Sequence, residues 1–242
     1  MKVATYTRYE VLRTFRNVRF FIFSLIFPLV LFLLIAGPNR HQKLNGIGFP
    51  LYFMGGMMAF GSMMAVVSSG SRIAAERQLG WNRQLRLTPL GTRTYLLTKV
   101  LCGYVLAGVS ILLLSLAGTS IGVRLTPDEW ATLIGLVLVG LIPFAAMGVA
   151  IGHLVSVDSL GPLMGGLVSI LAMLGGAWGP LASGGMLLSI SQAIPSYWLV
   201  QAGKTAIGGS GWPLKGWVVV GFWSLVMTRL AMWSYQRDTA KA

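Results

Sequence analysis

The side chains best suited to chemistry in this sequence lie in one polar stretch from Arg72 to Arg93, which carries five arginines and a single acid, Glu76. We call this stretch the arginine segment. Guanidinium groups donate forked hydrogen bonds to carboxylates and phosphates, so a cluster of them is suited to binding an acidic partner surface. The two histidines, His41 and His153, are far apart in sequence and unsupported by other ligands, so neither a metal site nor a nucleophilic triad is indicated. Both are expected to be solvated in polar loops, and no residue is predicted to be catalytic.

The elements that must position the arginine segment are long apolar blocks. Hydrophobic residues make up 55% of the 242 residues and charged residues 10%, with a mean hydropathy of +0.73, values typical of a membrane protein. Helical blocks of about 18 to 25 residues suffice to cross a hydrocarbon core of about 30 Å. The sequence therefore predicts an all-α polytopic membrane protein, with one transmembrane domain over residues 1–242.

Six transmembrane helices are predicted, separated by short polar turns. Their approximate bounds are Phe20–Gly37, Phe49–Ser71, Thr98–Gly122, Ala131–Gly152, Leu160–Trp178 and Gly216–Trp233. Residues 1–19 are amphipathic at helical spacing, which predicts an interfacial helix on the membrane surface. Residues 180–215 contain two apolar pieces that are too short to cross and are interrupted by Pro195, which predicts short re-entrant helices before the last span.

Four pairs of glycines spaced four residues apart occur in or beside the third, fourth and fifth spans. They are Gly118 with Gly122, Gly148 with Gly152, Gly161 with Gly165, and Gly175 with Gly179. Small residues at this spacing let helix backbones approach closely. We expect these pairs to mark contacts between helices, within the chain or between chains.

The distribution of positive charge predicts the orientation in the membrane. With the N-terminus inside, fourteen of the nineteen lysines and arginines fall on the cytoplasmic side, as the positive-inside rule requires. Six spans then place both termini and the arginine segment in the cytoplasm. The protein is predicted to be a multi-pass protein of the cell membrane, in contact with the membrane lipid. Lys99, near the start of the third span, is expected to extend to the interface. The net charge of +13 does not indicate nucleic-acid binding, because the cations collect at the ends of apolar blocks.

The positions of the acidic residues limit the possible energy sources. Charges inside a bilayer are costly and mark ion pathways, but no Asp, Glu or His falls in the middle of a predicted span. An ion-coupled carrier would need such groups, and a membrane enzyme would need them clustered at one interface. Energy for directional transport would therefore come from outside the chain. A non-transporting scaffold or assembly factor is the other open interpretation, because its sequence could look the same.

The arginine segment contains ERQLGWNRQLRLTPLG, which resembles the cytoplasmic segment between the second and third spans of ABC type-2 (ABC-2) exporter permeases. The matching residues are Glu76, Arg77, Gly80, Leu85 and Pro89. Gln78 and Trp81 replace an acid and a threonine that are frequent in that family. The resemblance also covers the amphipathic N-terminal helix, the six spans and the broken segment before the last span, so it extends over nearly the whole chain.

The resemblance implies that the chain is the membrane-spanning subunit of an ATP-driven exporter. Such a permease works with a second permease subunit, identical or different, and with separate nucleotide-binding ATPase subunits. ATP and Mg are expected on those ATPase partners, and no cofactor is expected on this chain. Closure of the ATPase subunits would move the arginine segment, and the spans would transmit this movement to an outward gate near Pro180 to Trp198.

On this interpretation a short cytoplasmic helix, from about Arg72 to Leu87, couples the permease to its ATPase. Because a span holds each end of it, a push on the helix would tilt both spans. The residues assigned to this coupling are Glu76, Arg77, Gly80, Trp81, Arg83, Leu85, Arg86 and Pro89. Glu76 is expected to pair with Arg72 or Arg83, or with a cation of the partner. The competing interpretation is a loop whose arginines only fix the orientation.

The resemblance also implies that the second and fifth spans line a central cavity between two permease subunits. The residues predicted to present an apolar surface there are Met57, Phe60, Met64, Met173 and Trp178. Flexible, methionine-rich walls suit chemically varied ligands, so the expected substrate is hydrophobic or amphiphilic: a drug, a natural product or a lipid. The competing interpretation is that the methionines fill irregular gaps in the core.

Overall fold

The computed structural model describes residues 8–13, 22–44, 46–80, 91–181 and 184–239, and this part of the chain is almost entirely helical. Residues 8–13 form helix α1, and the other residues of the predicted N-terminal helix lie outside the described ranges. The helices that follow are α2 (Phe27–Ala36), α3 (Phe49–Ser71), α4 (Ile73–Gln78), α5 (Thr92–Ser120), α6 (Pro127–Gly140), α7 (Ile142–Leu154), α8 (Val157–Gly175), α9 (Met186–Gln192), α10 (Pro195–Thr205) and α11 (Leu214–Thr239).

Short irregular elements connect some of these helices. A π-helical turn, Ile22–Ile26, leads directly into α2, and a 3₁₀ turn, Ile207–Gly209, follows α10. Two short strands, β1 (Lys43–Leu44) and β2 (Ile47–Gly48), form an antiparallel hairpin between α2 and α3. The all-α prediction is confirmed, with this hairpin as the only sheet among the described residues.

Five helical stretches in the described part of the chain are long and apolar enough to cross a membrane. They are Phe49–Gln78, Arg93–Ser120, Pro127–Leu154, Val157–Gly175 and Leu214–Asp238. A further apolar stretch, Ser24–Ala36, is shorter. The chain is thus a multi-pass membrane protein, and the number of six spans stays a prediction.

Proline marks where helices begin. Five helices carry proline in the first turn, where the amide group that proline lacks would have no partner within the helix. These prolines are Pro28, Pro50, Pro127, Pro143 and Pro195. Pro143 thereby divides the predicted fourth span into α6 and α7 at Leu141. At the start of α6, Thr126 adds a capping box, because its hydroxyl accepts from the Glu129 amide while the Glu129 carboxylate accepts from the Thr126 amide.

Helix α3 lies at the centre of the molecule. Its bounds match the predicted second span. In its most apolar part 83% of the residues are buried, whereas 17% are buried in the most apolar parts of α8 and α11. It packs against α2, α5, α7, α8 and α10. Met54, Met57, Met58 and Met63 are all fully enclosed in the core, so for these four the gap-filling interpretation describes what the structure shows.

Glycines let two helices approach α3 at backbone distance. A Cβ built on Gly148 of α7 would lie 2.5 Å from the Val67 carbonyl oxygen of α3, and one on Gly152 would lie 2.6 Å from that of Gly70. Further along α3, a Cβ on Gly55 would lie 3.0 Å from the Cα of Gly203 in α10. The predicted pair Gly148 and Gly152 is therefore a helix contact within the chain.

The segment from 180 to 215 contains two short helices, α9 and α10, as predicted. Helix α9 is mostly exposed, whereas α10 packs between α3, α6 and α8. Leu199 and Ala202 of α10 are fully buried. This helix is therefore part of the core rather than a peripheral loop.

We expect the substitution Gly148→Ala to destabilise the fold by about 1–3 kcal/mol, because the added methyl group forces α3 and α7 apart. The matched control is Gly161→Ala in α8, where a Cβ meets nothing within 4 Å. Alanine there should be neutral or stabilising by up to about 1 kcal/mol, because it is the better helix former. Unfolding in mixed detergent and SDS micelles measures both variants. Equal unfolding midpoints for the two would contradict the close crossing.

Candidate functional site

The arginine segment begins with helix α4, which directly continues the central helix α3 after a single turn residue, Arg72. Helix α4 ends at Gln78, and Gly80 has a φ of +69°, a left-handed conformation that favours glycine. The amide of Gly80 donates to the Arg77 carbonyl oxygen at 3.0 Å, which closes the helix end. The predicted continuous helix from about Arg72 to Leu87 is therefore wrong, because the helix ends at Gln78, before the left-handed Gly80.

Glu76 of α4 is buried inside a cluster of charged groups. Its side chain is 2% exposed, and its Oε1 accepts from Lys99 Nζ of α5 at 2.5 Å and from Arg13 of α1 at 3.1 Å. The hydroxyl of Tyr95, one turn before Lys99, donates to the other oxygen at 2.5 Å. Glu76 therefore faces other helices of its own chain. Arg83, one of the partners expected from the sequence, lies outside the described residues, so that pairing stays a prediction.

Lys99 is held by two carboxylates at once. Its Nζ lies 2.5 Å from Glu76 and 2.5 Å from Glu10 of α1, and only 1% of its side chain is exposed. The prediction that Lys99 extends to the interface is wrong. The two carboxylates provide partners within the fold, and the two cations Lys99 and Arg13 balance the two acids, which offsets part of the cost of burial. The cluster ties α1, α4 and α5 together.

Arg77, the next residue of α4, contacts a different set of helices. One guanidinium nitrogen donates to the carbonyl oxygens of His153 at 2.8 Å and Gly152 at 3.3 Å, at the end of α7. The other lies 2.6 Å from the Asp238 carboxylate near the end of α11. Because the last carbonyl groups of a helix have no partner within it, a guanidinium group there satisfies them. Arg77 thus joins α4 to α7 and α11.

His153 completes this second cluster. Its Nδ1 lies 2.9 Å from the second oxygen of Asp238, and its ring packs edge-on against Tyr235 at 5.5 Å between centroids. The side chain is 1% exposed, so the expectation of a solvated histidine in a polar turn is wrong. The α11 helix extends beyond the predicted end of the last span and brings Asp238 over the end of α7. Asp238 lies five residues beyond Trp233, where the predicted last span ends.

The two clusters share α4, and together we call them the α4 junction. Its residues are Glu10, Arg13, Glu76, Arg77, Tyr95, Lys99, His153 and Asp238. Neighbouring residues of a helix point about 100° apart, so Glu76 and Arg77 reach different helices from one turn. A displacement of α4 would therefore act on α1, α5, α7 and α11 at the same time.

The other residues assigned to coupling divide into two groups. Gly80 ends α4, as described above. Trp81, Arg83, Leu85, Arg86 and Pro89 lie outside the described residues, so their role stays a prediction. Within the described part of the chain, no group of three His, Cys, Asp or Glu side chains could hold a metal ion.

The structure brings some of the predicted cavity residues together. Phe60 and Trp178 pack at 5.2 Å between ring centroids, and Phe27 of α2 joins them at 6.1 and 6.4 Å. Met173 is more than half exposed and Trp178 is 38% exposed. Met57 is fully enclosed and Met64 is half-buried. Their contact with a substrate stays a prediction, and in this conformation only Met173 and Trp178 have substantial exposed surface.

Comparison with known proteins identifies the family. A model of the family described as ABC-2 type transporter matches residues 1–206. The chain belongs to the ABC-2 type transporter family. An ABC-2 permease is a transport subunit rather than an enzyme, and it works with an ATPase subunit. A Bacillus subtilis (strain 168) protein named "Putative transport permease YvfS" is 30% identical to this permease over 191 residues, which cover 78% of each chain.

Sequence reasoning about the ABC-2 permease missed the α4 junction, although one signal pointed to it. Lys99 is a lone cation about two turns inside an apolar helix, a position where an uncompensated charge is costly. Glu10 belongs to the predicted interfacial helix and Glu76 lies five residues after the second predicted span, so both are expected near the membrane surface at which the third span begins. Pairing every cation inside a span with acids near the same membrane surface would have suggested the contact.

We expect Lys99→Met to destabilise the permease by about 3–5 kcal/mol, because it leaves the buried carboxylates Glu10 and Glu76 without their main cation. The double substitution Glu76→Gln with Lys99→Met should recover part of this loss. Unfolding midpoints in SDS titration measure the effect. The control is Lys43→Met in the exposed hairpin, with an expected change of about 0.5 kcal/mol or less. A Lys99→Met midpoint equal to that of the control would refute the buried pairing.

Proposed function

We propose that this permease is the transmembrane subunit of an ATP-driven exporter that moves a hydrophobic or amphiphilic compound, such as a drug, natural product or lipid, out of the cytoplasm. ATP and Mg bind to separate nucleotide-binding subunits, and a second permease subunit, identical or different, completes the membrane part. Both termini and the arginine segment face the cytoplasm, and the complex lies in the cell membrane. The excess of lysine and arginine on that side supports this orientation.

The observation that carries the proposal is the α4 junction. An ABC-2 permease works with an ATPase subunit, and the movement of that subunit must be transmitted to the membrane spans. Helix α4 continues α3, contacts α1 and α5 through Glu76, and contacts α7 and α11 through Arg77. A push on the arginine segment is therefore delivered to several spans through short charge-assisted contacts, which resist stretching better than loose side-chain packing.

Glu76 and Arg77 take a different part in coupling from Arg83 and Arg86. The carboxylate of Glu76 is enclosed and the Arg77 guanidinium group is engaged by Asp238 and two carbonyl groups, so both act as internal transmitters. Docking to the ATPase is assigned to Arg83 and Arg86, whose guanidinium groups suit carboxylates on a partner surface. The two roles separate experimentally, because loss of docking disrupts assembly and loss of transmission does not.

The export of apolar compounds is supported by the surface around Trp178. Phe27, Trp178 and Met173 present exposed apolar side chains, and the buried Phe60 packs against the rings of Phe27 and Trp178. Aromatic and methionine side chains accommodate ligands of varied shape. The Bacillus subtilis relative is named as a transport permease, which supports a transport role over that of a static scaffold.

Docking is tested by reversing two charges, Arg83→Glu with Arg86→Glu, in the permease co-expressed with its ATPase. We expect loss of co-purification and of stimulated ATPase activity, because repulsion of like charges replaces paired contacts. The control is Arg124→Glu, a single reversal on the other side of the predicted membrane. Unchanged assembly and vanadate-sensitive export in the double variant would reject the docking assignment. Assembly without any export by the wild type would instead favour a scaffold.

Transmission is tested by Asp238→Asn, which weakens the contacts of α11 with Arg77 and His153. We expect co-purification with the ATPase to be unchanged and export per ATP hydrolysed to fall about 5- to 150-fold, the usual range of coupling between two sites. Asp158→Asn at the start of α8 is the matched control, because Asp158 takes no part in the junction. Equal export by wild type and Asp238→Asn in assembled complexes would show that this contact carries no force.

A further inference from the structure

A groove beside the α4 junction, and distinct from the predicted substrate surface, lies between α5, α7 and α11. Its volume is about 700 Å³, within the range of about 300–1,000 Å³ typical of small-molecule sites. Arg93, Leu96, Val100 and Tyr104 line it from one face of α5. Residues of α7 and α11 form the other walls. The groove is open to the outside of the helix bundle between α7 and α11, because Ile142 and Met232 in its walls are 44% and 49% exposed.

The groove is polar at one end and apolar along its length. Arg93 lies at the start of α5, and Tyr235 and Gln236 lie near the end of α11. Beyond this polar end the walls are mainly leucine, valine, isoleucine, alanine and methionine. The Tyr104 hydroxyl at the far end already donates to the Leu138 carbonyl oxygen at 3.1 Å. This arrangement of polar and apolar side chains suits a ligand with one charged end and a long apolar chain.

The length of the groove corresponds to one leaflet of a bilayer. Arg93 and Tyr104 are eleven residues apart on one helix, which is about 16 Å at 1.5 Å per residue. The hydrocarbon core of a bilayer is about 30 Å thick, so one leaflet accounts for about 15 Å. An acyl chain that runs from Arg93 to Tyr104 would therefore reach from the headgroup level to near the bilayer centre.

Arg93 supplies the charge complement for such a ligand. It is exposed, and no hydrogen bond or ion pair joins it to another described residue, in contrast to the paired Arg13 and Arg77. A guanidinium group binds phosphate oxygens through two parallel hydrogen bonds. In the proposed orientation Arg93 faces the cytoplasmic leaflet, where the anionic lipids are concentrated.

We propose that this groove binds an anionic phospholipid, with its phosphate on Arg93 and one acyl chain along α5 toward Tyr104. Assignment to the cytoplasmic leaflet rests on the orientation given under the proposed function. Four lining residues, Leu96, Val100, Val149 and Ala231, also pack in the small hydrophobic cluster around Ile73 of α4. The bound lipid thus shares a wall with the α4 junction, and its binding stabilises one position of α5 against α11.

The experiment measures lipid binding to the purified full-length permease, without its ATPase, by native mass spectrometry during titration with phosphatidylglycerol. We expect Arg93→Gln to weaken phosphatidylglycerol binding about tenfold or more, the effect of losing a charge-assisted hydrogen-bonding partner. Arg93→Lys keeps the charge but loses the forked geometry, so it should bind with intermediate affinity. Ala146→Trp fills the groove and should abolish the bound lipid. Arg124→Gln, with the same loss of charge at the opposite end of the molecule, should bind like wild type.

Each of several results would overturn the proposal. Equal phosphatidylglycerol affinity of wild type and Arg93→Gln would do so, as would equal affinity of the wild type for phosphatidylcholine. Displacement of the lipid by glycerol 3-phosphate would show a phosphate site that needs no acyl chain. Retention of lipid by folded Ala146→Trp together with a changed oligomeric mass would assign the groove to a second copy of the chain. Because no ATPase is present, failure here leaves the export proposal standing.

Discussion

The buried contact of Lys99 with Glu10 and Glu76 is the interaction on which the arrangement at this end of the molecule depends. An ammonium group taken out of water without a partner costs several kcal/mol, so Lys99 can be enclosed only when both carboxylates reach it. Glu10 belongs to α1 and Glu76 to α4, residues far apart in sequence. The charge requirement therefore fixes where the N-terminal helix lies against α4 and α5. Apolar packing alone, which is not directional, would allow these short helices several positions.

The α4 junction and the glycine contacts hold the helices of the bundle together by different interactions. In the middle of the molecule, α3 meets α7 and α10 at glycines, where close approach maximises dispersion contacts in the absence of a hydrophobic driving force between helices in lipid. At the end of the bundle where α4 lies, charged side chains instead of glycines make the contacts between helices. Helices held by glycine contacts cannot separate without losing many small contacts, whereas charged contacts can exchange partners. The centre of the bundle is thus held by close backbone packing, and the α4 junction is held by directional charged contacts.

The sequence predicts the apolar framework well and the polar contacts poorly. The bounds of α3 follow from composition, because no charged residue interrupts the block between Gly48 and Arg72. Lys99 and His153, in contrast, owe their burial to partners 85 to 89 residues away, Asp238 and Glu10. Local pattern does not name such distant partners, so it predicts Lys99 at the interface and His153 in water. The early end of α4 had a visible local cause in Gly80, whose left-handed conformation was not anticipated.

The crossing of α3 and α7 has a mechanical consequence. Where two backbones touch at Gly70 and Gly148, no layer of side chains is available to slide, so tilting about that point is the easiest relative motion. From Gly70 the helix continues six residues to Glu76, about 9 Å, and twenty-one residues back to Phe49, about 32 Å. The crossing therefore acts as a pivot that is closer to Glu76 than to Phe49. A shift of about 1 Å at Glu76 would correspond to about 3–4 Å at the opposite membrane surface.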